Sequence, residues 1–386
     1  MAVDRQLPSG GQSVLRRLNA GAVLAWVRKT GPSTLTEISR GTSLSRPTVE
    51  AAVVELVEQE WLEELEASLQ PSELGRPARR YRFRAERGYV LGINIDEYKV
   101  LGRLADLDGR IVAARRSAVD PDLPAPERLA VARSVIQRCL ATASVPRALV
   151  RAVGVGTPGI VDGTGRVTLS HPLPGWAGLD LSQELGRSFS CPVVVENDAN
   201  LAAVAERWHG AAVDVDQVVF VLIGRRFGSS ILIDGRPHRG HRGAAGEITY
   251  KDFMETKAAL KRLRSFPPPP AGAGAPDESS SDEGAHAAFA AARLGDPEAA
   301  AIVETFVQRL SRTIAAMVLT VDPELVVIGG GVSKEGEAFL SRLEEALGEL
   351  CVIPPRLAVS DMGEESVVLG GVRVALDRAE QDLFAL

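Results

Sequence analysis

The order strand, loop, strand, Asp-Gly turn occurs twice in this chain, and that duplication constrains the fold more than any other feature. The first copy is LGINIDEYKVLGRLADLDGR (Leu91–Arg110) and the second is LIGRRFGSSILIDGR (Leu222–Arg236). A repeated supersecondary unit implies a duplicated α/β lobe with a cleft between the halves. Strands are predicted at 90–95, 100–107 and 110–115, with Asp108-Gly109 as a hairpin turn. A helix at 126–141 and a buried strand at 149–156 follow, the strand running into Thr157-Pro158-Gly159, and then a helix at 181–187. The second copy reads as a strand at 217–223, a loop at 225–229, a strand at 230–233 and a turn at Asp234-Gly235. Beyond it lie helices at 285–294 and 297–321 and a strand at 324–328 ending in Gly329-Gly330-Gly331. A further helix, a short strand near Leu357 and a closing helix at 370–379 complete the pattern. Pro267 to Gly284, PPPPAGAGAPDESSSDEG, is low in complexity and is predicted to be disordered.

Just before the second copy stands Val193-Val194-Val195-Glu196-Asn197-Asp198-Ala199-Asn200, an apolar β-branched run that ends in a carboxylate, an amide and a second carboxylate. The segment from Ala199 to Trp208 reads as a helix, so the polar cluster lies where a strand meets a helix N-terminus. Ligands collect at such places in open α/β sheets. Helix capping explains the same residues, with Asn197 as N-cap and Asp198 suited to the helix dipole. Both readings stay open at this point.

At 386 residues the chain should hold two or three domains. With 45% hydrophobic and 24% charged residues it reads as a soluble protein. Met1–Gly11 lacks an apolar signal region, no later run is long and apolar enough to span a bilayer, and a cytoplasmic location is expected. Cys139, Cys191 and Cys351 are far apart in apolar contexts, which suggests buried thiols rather than disulfides or zinc. Residues 1–84 hold twelve Lys/Arg against ten Asp/Glu, a net of +2, so the remainder carries −8 of the total −6. Arg76, Arg79, Arg80, Arg82, Arg84 and Arg87 cluster within a short span. A basic patch on an acidic protein fits a DNA-binding module joined to an effector module, and it also fits a solvated arginine-rich linker.

In residues 1–86, Leu15, Leu18, Ala22 and Ala25 follow helical spacing up to Thr30-Gly31-Pro32. Thr34-Leu35-Thr36-Glu37 is a capping-box pattern that opens a second helix through Arg40, which Gly41 is expected to break. Ser45 caps a third, with Pro47 in its first turn and Val49, Ala52, Val53, Leu56 and Val57 marking the buried face. Two short helices around a glycine-containing turn are a helix-turn-helix arrangement. Trp61 to Leu69 and Tyr81 to Arg84, broken at Pro71–Pro77, read as a following hairpin that makes it a winged helix. Ser45, Arg46 and Thr48 are candidates for base or phosphate contact. Arg76 at the hairpin tip suits a minor groove, and Arg79 and Arg80 suit phosphates. Three helices and a hairpin also serve as a dimerisation or protein-binding domain.

At this point the chain resembles the ROK family, named for its repressors, open reading frames and sugar kinases. The resemblance is carried by Gly154-Val155-Gly156-Thr157-Pro158-Gly159-Ile160-Val161-Asp162, by Glu196-Asn197-Asp198-Ala199-Asn200, by Gly243-Ala244-Ala245-Gly246-Glu247 and by Asp322-Pro323-Glu324 through Ile328-Gly329-Gly330-Gly331-Val332. Ser43-Leu44-Ser45-Arg46-Pro47-Thr48-Val49 and Gly75-Arg76-Pro77 are similar to the winged helix and wing of the repressor branch, which includes the xylose repressors. The resemblance implies an α/β chain with an N-terminal winged helix-turn-helix at 1–86, followed at 87–386 by a two-lobed actin-like, hexokinase-like domain. Lobe 1 would run over about 87–208 plus the C-terminal helix, and lobe 2 over about 209–356 with the disordered insert at about 267–284. In family kinases the aspartate matching Asp198 is the general base, and the residues matching Asn197 and Glu247 bind the sugar.

This sequence departs from the kinase pattern. Where the family has an Asp-x-Gly-Gly-Thr-Lys phosphate loop, it reads Asn94-Ile95-Asp96-Glu97-Tyr98-Lys99, without the glycines and threonine that form the backbone cradle. The second phosphate loop reads Gly224-Arg225-Arg226-Phe227-Gly228. The family's zinc cysteines are absent after Glu247, and Tyr250 stands in the histidine position, so no metal and no cofactor are expected. Phosphoryl transfer rests on positioning and electrostatics, so a chain altered in both loops is expected not to be a kinase. The expected function is a transcriptional regulator, a repressor in the commoner family case, that binds a double-stranded DNA operator as a homodimer or homotetramer and does not engage a membrane. Its cleft would sense a sugar or sugar derivative through Gly159, Asn197, Asp198, Glu247 and Tyr250. The alternatives are a regulator whose cleft binds no small molecule and an active sugar kinase.

Overall fold

In the computed structural model of the chain, residues 10–65, 78–224, 227–249, 251, 254–267 and 282–384 are described. Helix α1 (Gly10–Thr30) carries two apolar faces. Ala20, Val23, Leu24 and Val27 are buried, whereas Leu15, Leu18 and Ala22 are exposed. The helix expected from the spacing of Leu15, Leu18 and Ala22 is there, but it turns its other side inward, because the branched Val23, Leu24 and Val27 fill the core of the N-terminal module.

Strand β1 (Ser33–Thr34) leads into α2 (Leu35–Thr42) through a complete capping box. The Thr34 hydroxyl accepts from the Glu37 N–H at 3.3 Å, and the Glu37 carboxylate accepts from the Thr34 N–H at 2.7 Å. Gly41 does not break this helix, which continues to Thr42. A Cβ there would fall 2.2 Å from the Trp26 ring, so Gly41 is the notch into which α1 packs. Ser43 ends the helix instead, in the left-handed conformation (φ 57°). Helix α3 (Arg46–Glu58) is capped by Ser45 and buries Val49, Ala52, Val53 and Leu56. Strands β2 (Leu62–Leu65) and β3 (Arg80–Phe83) pair antiparallel, and β1 joins the far side of β3, a third strand that the sequence reading did not contain.

The first lobe is built from β4 (Tyr89–Ile95), β5 (Lys99–Asp106), β6 (Ile111–Ala118), α4 (Ala125–Thr142), β7 (Val150–Thr157), the ribbon β8 (Ile160–Val161) and β9 (Val167–Leu169), α5 (Leu181–Gly186), β10 (Val193–Asn197) and α6 (Asp198–His209). The second contains β11 (Val218–Ile223), β12 (Phe227–Ile233), β13 (Arg236–Pro237), α7 (Thr256–Arg264), α8 (Glu283–Arg293), α9 (Pro297–Val321), β14 (Leu325–Gly330), α10 (Glu337–Leu350) and β15 (Arg356–Val359), while α11 (Ser366–Phe384) packs on the first lobe. The two five-stranded sheets run β10-β7-β4-β5-β6 and β13-β12-β11-β14-β15. In both, the opening strand pairs antiparallel with the next strand on one side and parallel with a later strand on the other. The topology is therefore repeated, as the two sequence copies imply.

Several elements differ from expectation: the β8–β9 ribbon and β13 were not foreseen, and β12 begins at Phe227, inside the stretch 225–229 read as a loop. Helix α7 was not foreseen. The closing helix starts at Ser366 and ends at Phe384, well beyond the predicted 370–379. The predicted disordered insert ends earlier than Gly284: Arg264 pairs with Asp282 at 2.6 Å and α8 begins at Glu283, while 268–281 lie outside the described residues.

Helix α11 ties the molecule together. A Cβ on Gly92 would lie 2.3 Å from the Val368 carbonyl and one on Gly154 2.0 Å from that of Gly371, so β4 and β7 meet the helix backbone to backbone. Its own Gly370 meets α6 in the same way, 1.9 Å from the Leu201 carbonyl. Farther along, Val372, Ala375, Leu376, Ala379 and Leu383 share one core with Val23, Leu24 and Val27 of α1 and with Trp61 and Phe83 of the winged helix. Arg28 of α1 bonds the Leu107 carbonyl at 2.5 Å and pairs with Glu380 at 2.8 Å. The N-terminal module is thus packed onto the first lobe.

Candidate ligand cleft and nucleic-acid interface

The parallel strands β4, β7 and β10 end at one level, with Asn94 opposite Gly156, Gly156 opposite Glu196, and Thr157 opposite Asn197. A cleft of about 1270 Å³ opens beyond them toward β12 and α7 of the second lobe. Gly159, Asn197, Asp198 and Glu247 all line it. Tyr250 lies outside the described residues.

The residues of the focal cluster divide into different tasks. Glu196 is 2% exposed, and its carboxylate accepts from the Asn197 N–H and from the Asn200 side chain, both at 2.9 Å, and from Arg239 at 2.5 Å. It locks the strand end and does not line the cleft. Asn197 is the N-cap of α6: its Oδ1 accepts from the Asn200 N–H at 3.1 Å, while its Nδ2 donates to the Gly159 carbonyl at 2.9 Å. The capping reading therefore holds for Asn197. Asp198 is half-buried at the first turn of α6, where its carboxylate accepts from the Ala199 N–H at 2.9 Å. Across the cleft, burial pushes the Glu247 carboxyl above its ordinary range, with Lys257 opposing that shift.

Sequence reasoning missed one wall of this cleft. Lys257, Lys261 and Arg264 all line it from α7. Their spacing at i, i+4 and i+7, against Leu260 and Leu263 on the buried side, was the available signal. Arg264 also bonds the Gly224 carbonyl at 2.5 Å, bracing the start of the second loop, whose Arg225 and Arg226 lie outside the described residues.

The β4–β5 loop closes on itself. The Asp96 N–H donates to the Lys99 carbonyl at 2.9 Å, and the Glu97 N–H to the Asp96 carboxylate at 2.6 Å. The fully buried Arg128 donates to the carbonyls of Asp96, Glu97, Asp120 and Pro121 at 2.7–3.0 Å. Among the described residues no group of three or more His, Cys, Asp or Glu is arranged to hold a metal, and no helix is long and apolar enough to cross a membrane.

On the N-terminal module, Ser45 and Thr48 bond to each other at 2.8 Å at the start of α3, so both hydroxyls serve the cap. Arg46 is exposed beside them. Arg79 pairs with Glu64 at 3.1 Å, Arg80 donates to the Pro32 carbonyl at 2.6 Å, and Arg82 pairs with Glu63 at 2.7 Å. The described wing arginines are therefore held by the chain's own acceptors, which the charge cluster alone did not reveal. Arg76 lies outside the described residues.

Comparison with known proteins accounts for both parts. The ROK family signature matches residues 90–257 and 277–377, and the IclR helix-turn-helix domain matches 18–66. A xylose repressor of Caldicellulosiruptor bescii is 23% identical over 390 residues, covering 95% of this chain and 97% of its own. The glucokinase of Thermotoga maritima is 27% identical over 256 residues, covering 58% of this chain and 79% of the kinase. The crystal structure of a ROK family transcriptional regulator, a homolog of the E. coli MLC protein, superposes with a TM-score of 0.71 at 21% identity, over 96% of this chain and 97% of its own. With both lobes matched in chain order and a helix-turn-helix module ahead of them, the chain belongs to the ROK family.

Proposed function

We propose that this protein is a sequence-specific DNA-binding regulator of carbohydrate metabolism, a repressor, whose cleft senses a sugar and no longer transfers phosphate. The observation that carries the reading is the continuous packing from cleft to winged helix. Asp198 begins α6, α6 packs on α11, and α11 enters the core of the DNA-binding module. A ligand that favours one arrangement of the lobes then acts on the winged helix through packed helices rather than through a flexible linker. The xylose repressor, matched over nearly its whole length, supports the regulator reading.

Against phosphoryl transfer stand the closed β4–β5 loop and the two carboxylates, Asp96 and Glu97, that it puts on the cleft wall. Phosphate binding there would need free N–H groups, and those of Asp96 and Glu97 already donate within the loop. Asp198 is left to recognise hydroxyls. Paired winged helices reading a palindrome call for a homodimer or homotetramer. Thermal unfolding of the full-length protein across a panel of monosaccharides, amino sugars and their phosphates tests the sensing step. One class of sugar should raise the midpoint, because a ligand selective for the native state stabilises it. No response across the panel contradicts sensing, and ATP-dependent phosphorylation abolished by Asp198→Asn contradicts the loss of catalysis.

A further inference from the structure

Strand β4 is apolar around one polar residue. Leu91, Ile93 and Ile95 are fully buried, and Asn94 between them is 4% exposed and lines the cleft. Its Oδ1 is sealed from solvent and has no hydrogen-bond partner among the described residues. Its Nδ2 likewise bonds to none of them, yet it is not sealed, so that edge opens onto the cleft. Whichever way round the amide is set, one polar atom is enclosed and the other faces the cleft. Enclosing an unpaired amide atom lowers stability, and an apolar side chain of the same shape would avoid that penalty. The fold gains nothing from an amide at this position.

The cleft does gain from it. Asp198 and Glu247, when ionised, only accept hydrogen bonds, whereas a sugar hydroxyl both donates and accepts. Asn197 has both amide atoms engaged within the chain. Asn94 adds to the strand ends an amide whose cleft-facing atom has no partner among the described residues. Side chains alternate along β4, so Asn94 shares the face of Gly92, which meets α11 at Val368. Asn94 therefore lies toward the first turn of α11, where Ser366 and Val367 also line the cleft.

We propose that Asn94 is a ligand-contacting residue whose amide hydrogen-bonds a hydroxyl group of a polyhydroxylated ligand, beside the helix that runs into the winged-helix core. The proposal rests on the reading of the cleft as a sugar site. Full-length wild type, N94L and N94D are titrated calorimetrically with D-xylose, D-glucose and N-acetyl-D-mannosamine, and their unfolding midpoints are measured without sugar. N94L should melt no lower than wild type, and both variants should bind about tenfold more weakly or worse. N94D, which keeps the size of the side chain, measures the binding half without the change of shape that Leu brings. Wild-type affinity in either variant overturns the proposal alone, as does an N94L midpoint well below wild type. Absence of binding by wild type to all three sugars overturns the sugar reading and this contact together.

Discussion

Glu37 and Glu247 carry the same functional group and are pushed in opposite directions. Hydrogen bonds from the Thr34 backbone and hydroxyl hold Glu37 below the ordinary value of 4.5, while burial pushes Glu247 above it. A carboxyl raised in the folded state favours folding fully below its unfolded pKa, and that contribution is lost as pH rises through the raised value. Glu247 in the ligand-free protein is therefore a liability at neutral pH. Glu247→Gln should raise the unfolding midpoint at about pH 7.5 and leave it unchanged at about pH 4. Equal midpoints at both values would show that burial does not act on this carboxyl. The polar residues at the strand ends were legible because runs such as Val193–Val195 end abruptly in charge. What each one does was not legible, since an N-cap and a ligand contact draw on the same residue types at the same place. Asn197 and Asn94 show this: both line the cleft, the first with its amide engaged as a cap, the second, noted only as part of an altered phosphate loop, with no partner for its amide among the described residues.

Among the elements, local chemistry was read most accurately where side chain and backbone bond within a few residues. The capping box at Thr34 and the cap at Ser45 are of this kind. Thr34→Ala should cost about 1 kcal/mol in urea unfolding, and the wild-type advantage should shrink as pH falls through the lowered Glu37 pKa. An unchanged midpoint would place the start of α2 under tertiary control. Elements whose partners are remote in sequence were harder to see. The β1 strand spans two residues and exists only because β3 passes beside it. Helix α7 has one buried face of Ala259, Leu260 and Leu263, interrupted by cations that belong to the cleft. Helix α11 faces the sheet, α6 and the winged helix at once, so it is apolar on several sides, and its full length lacked a single periodic stripe.

At the scale of the whole molecule, the duplicated lobe was visible because both copies are written in the chain with the same turn, and the two sheets repeat one strand order. The packing of the winged helix onto the first lobe was not, because it depends on Leu24, Trp61, Phe83 and Leu376 meeting across most of the sequence. That shared core makes the DNA-binding module part of the body that holds the cleft. The central claim is selective reading of duplex DNA by this assembly. Repeated selection of random duplexes by the full-length protein at one fixed moderate salt concentration tests it, with Arg46→Ala carried in parallel. The account predicts enrichment of a two-fold symmetric sequence, bound more weakly by Arg46→Ala by about 1–3 kcal/mol while thermal stability is unchanged. Recovery of unselected DNA, with wild type and variant binding alike, would contradict it.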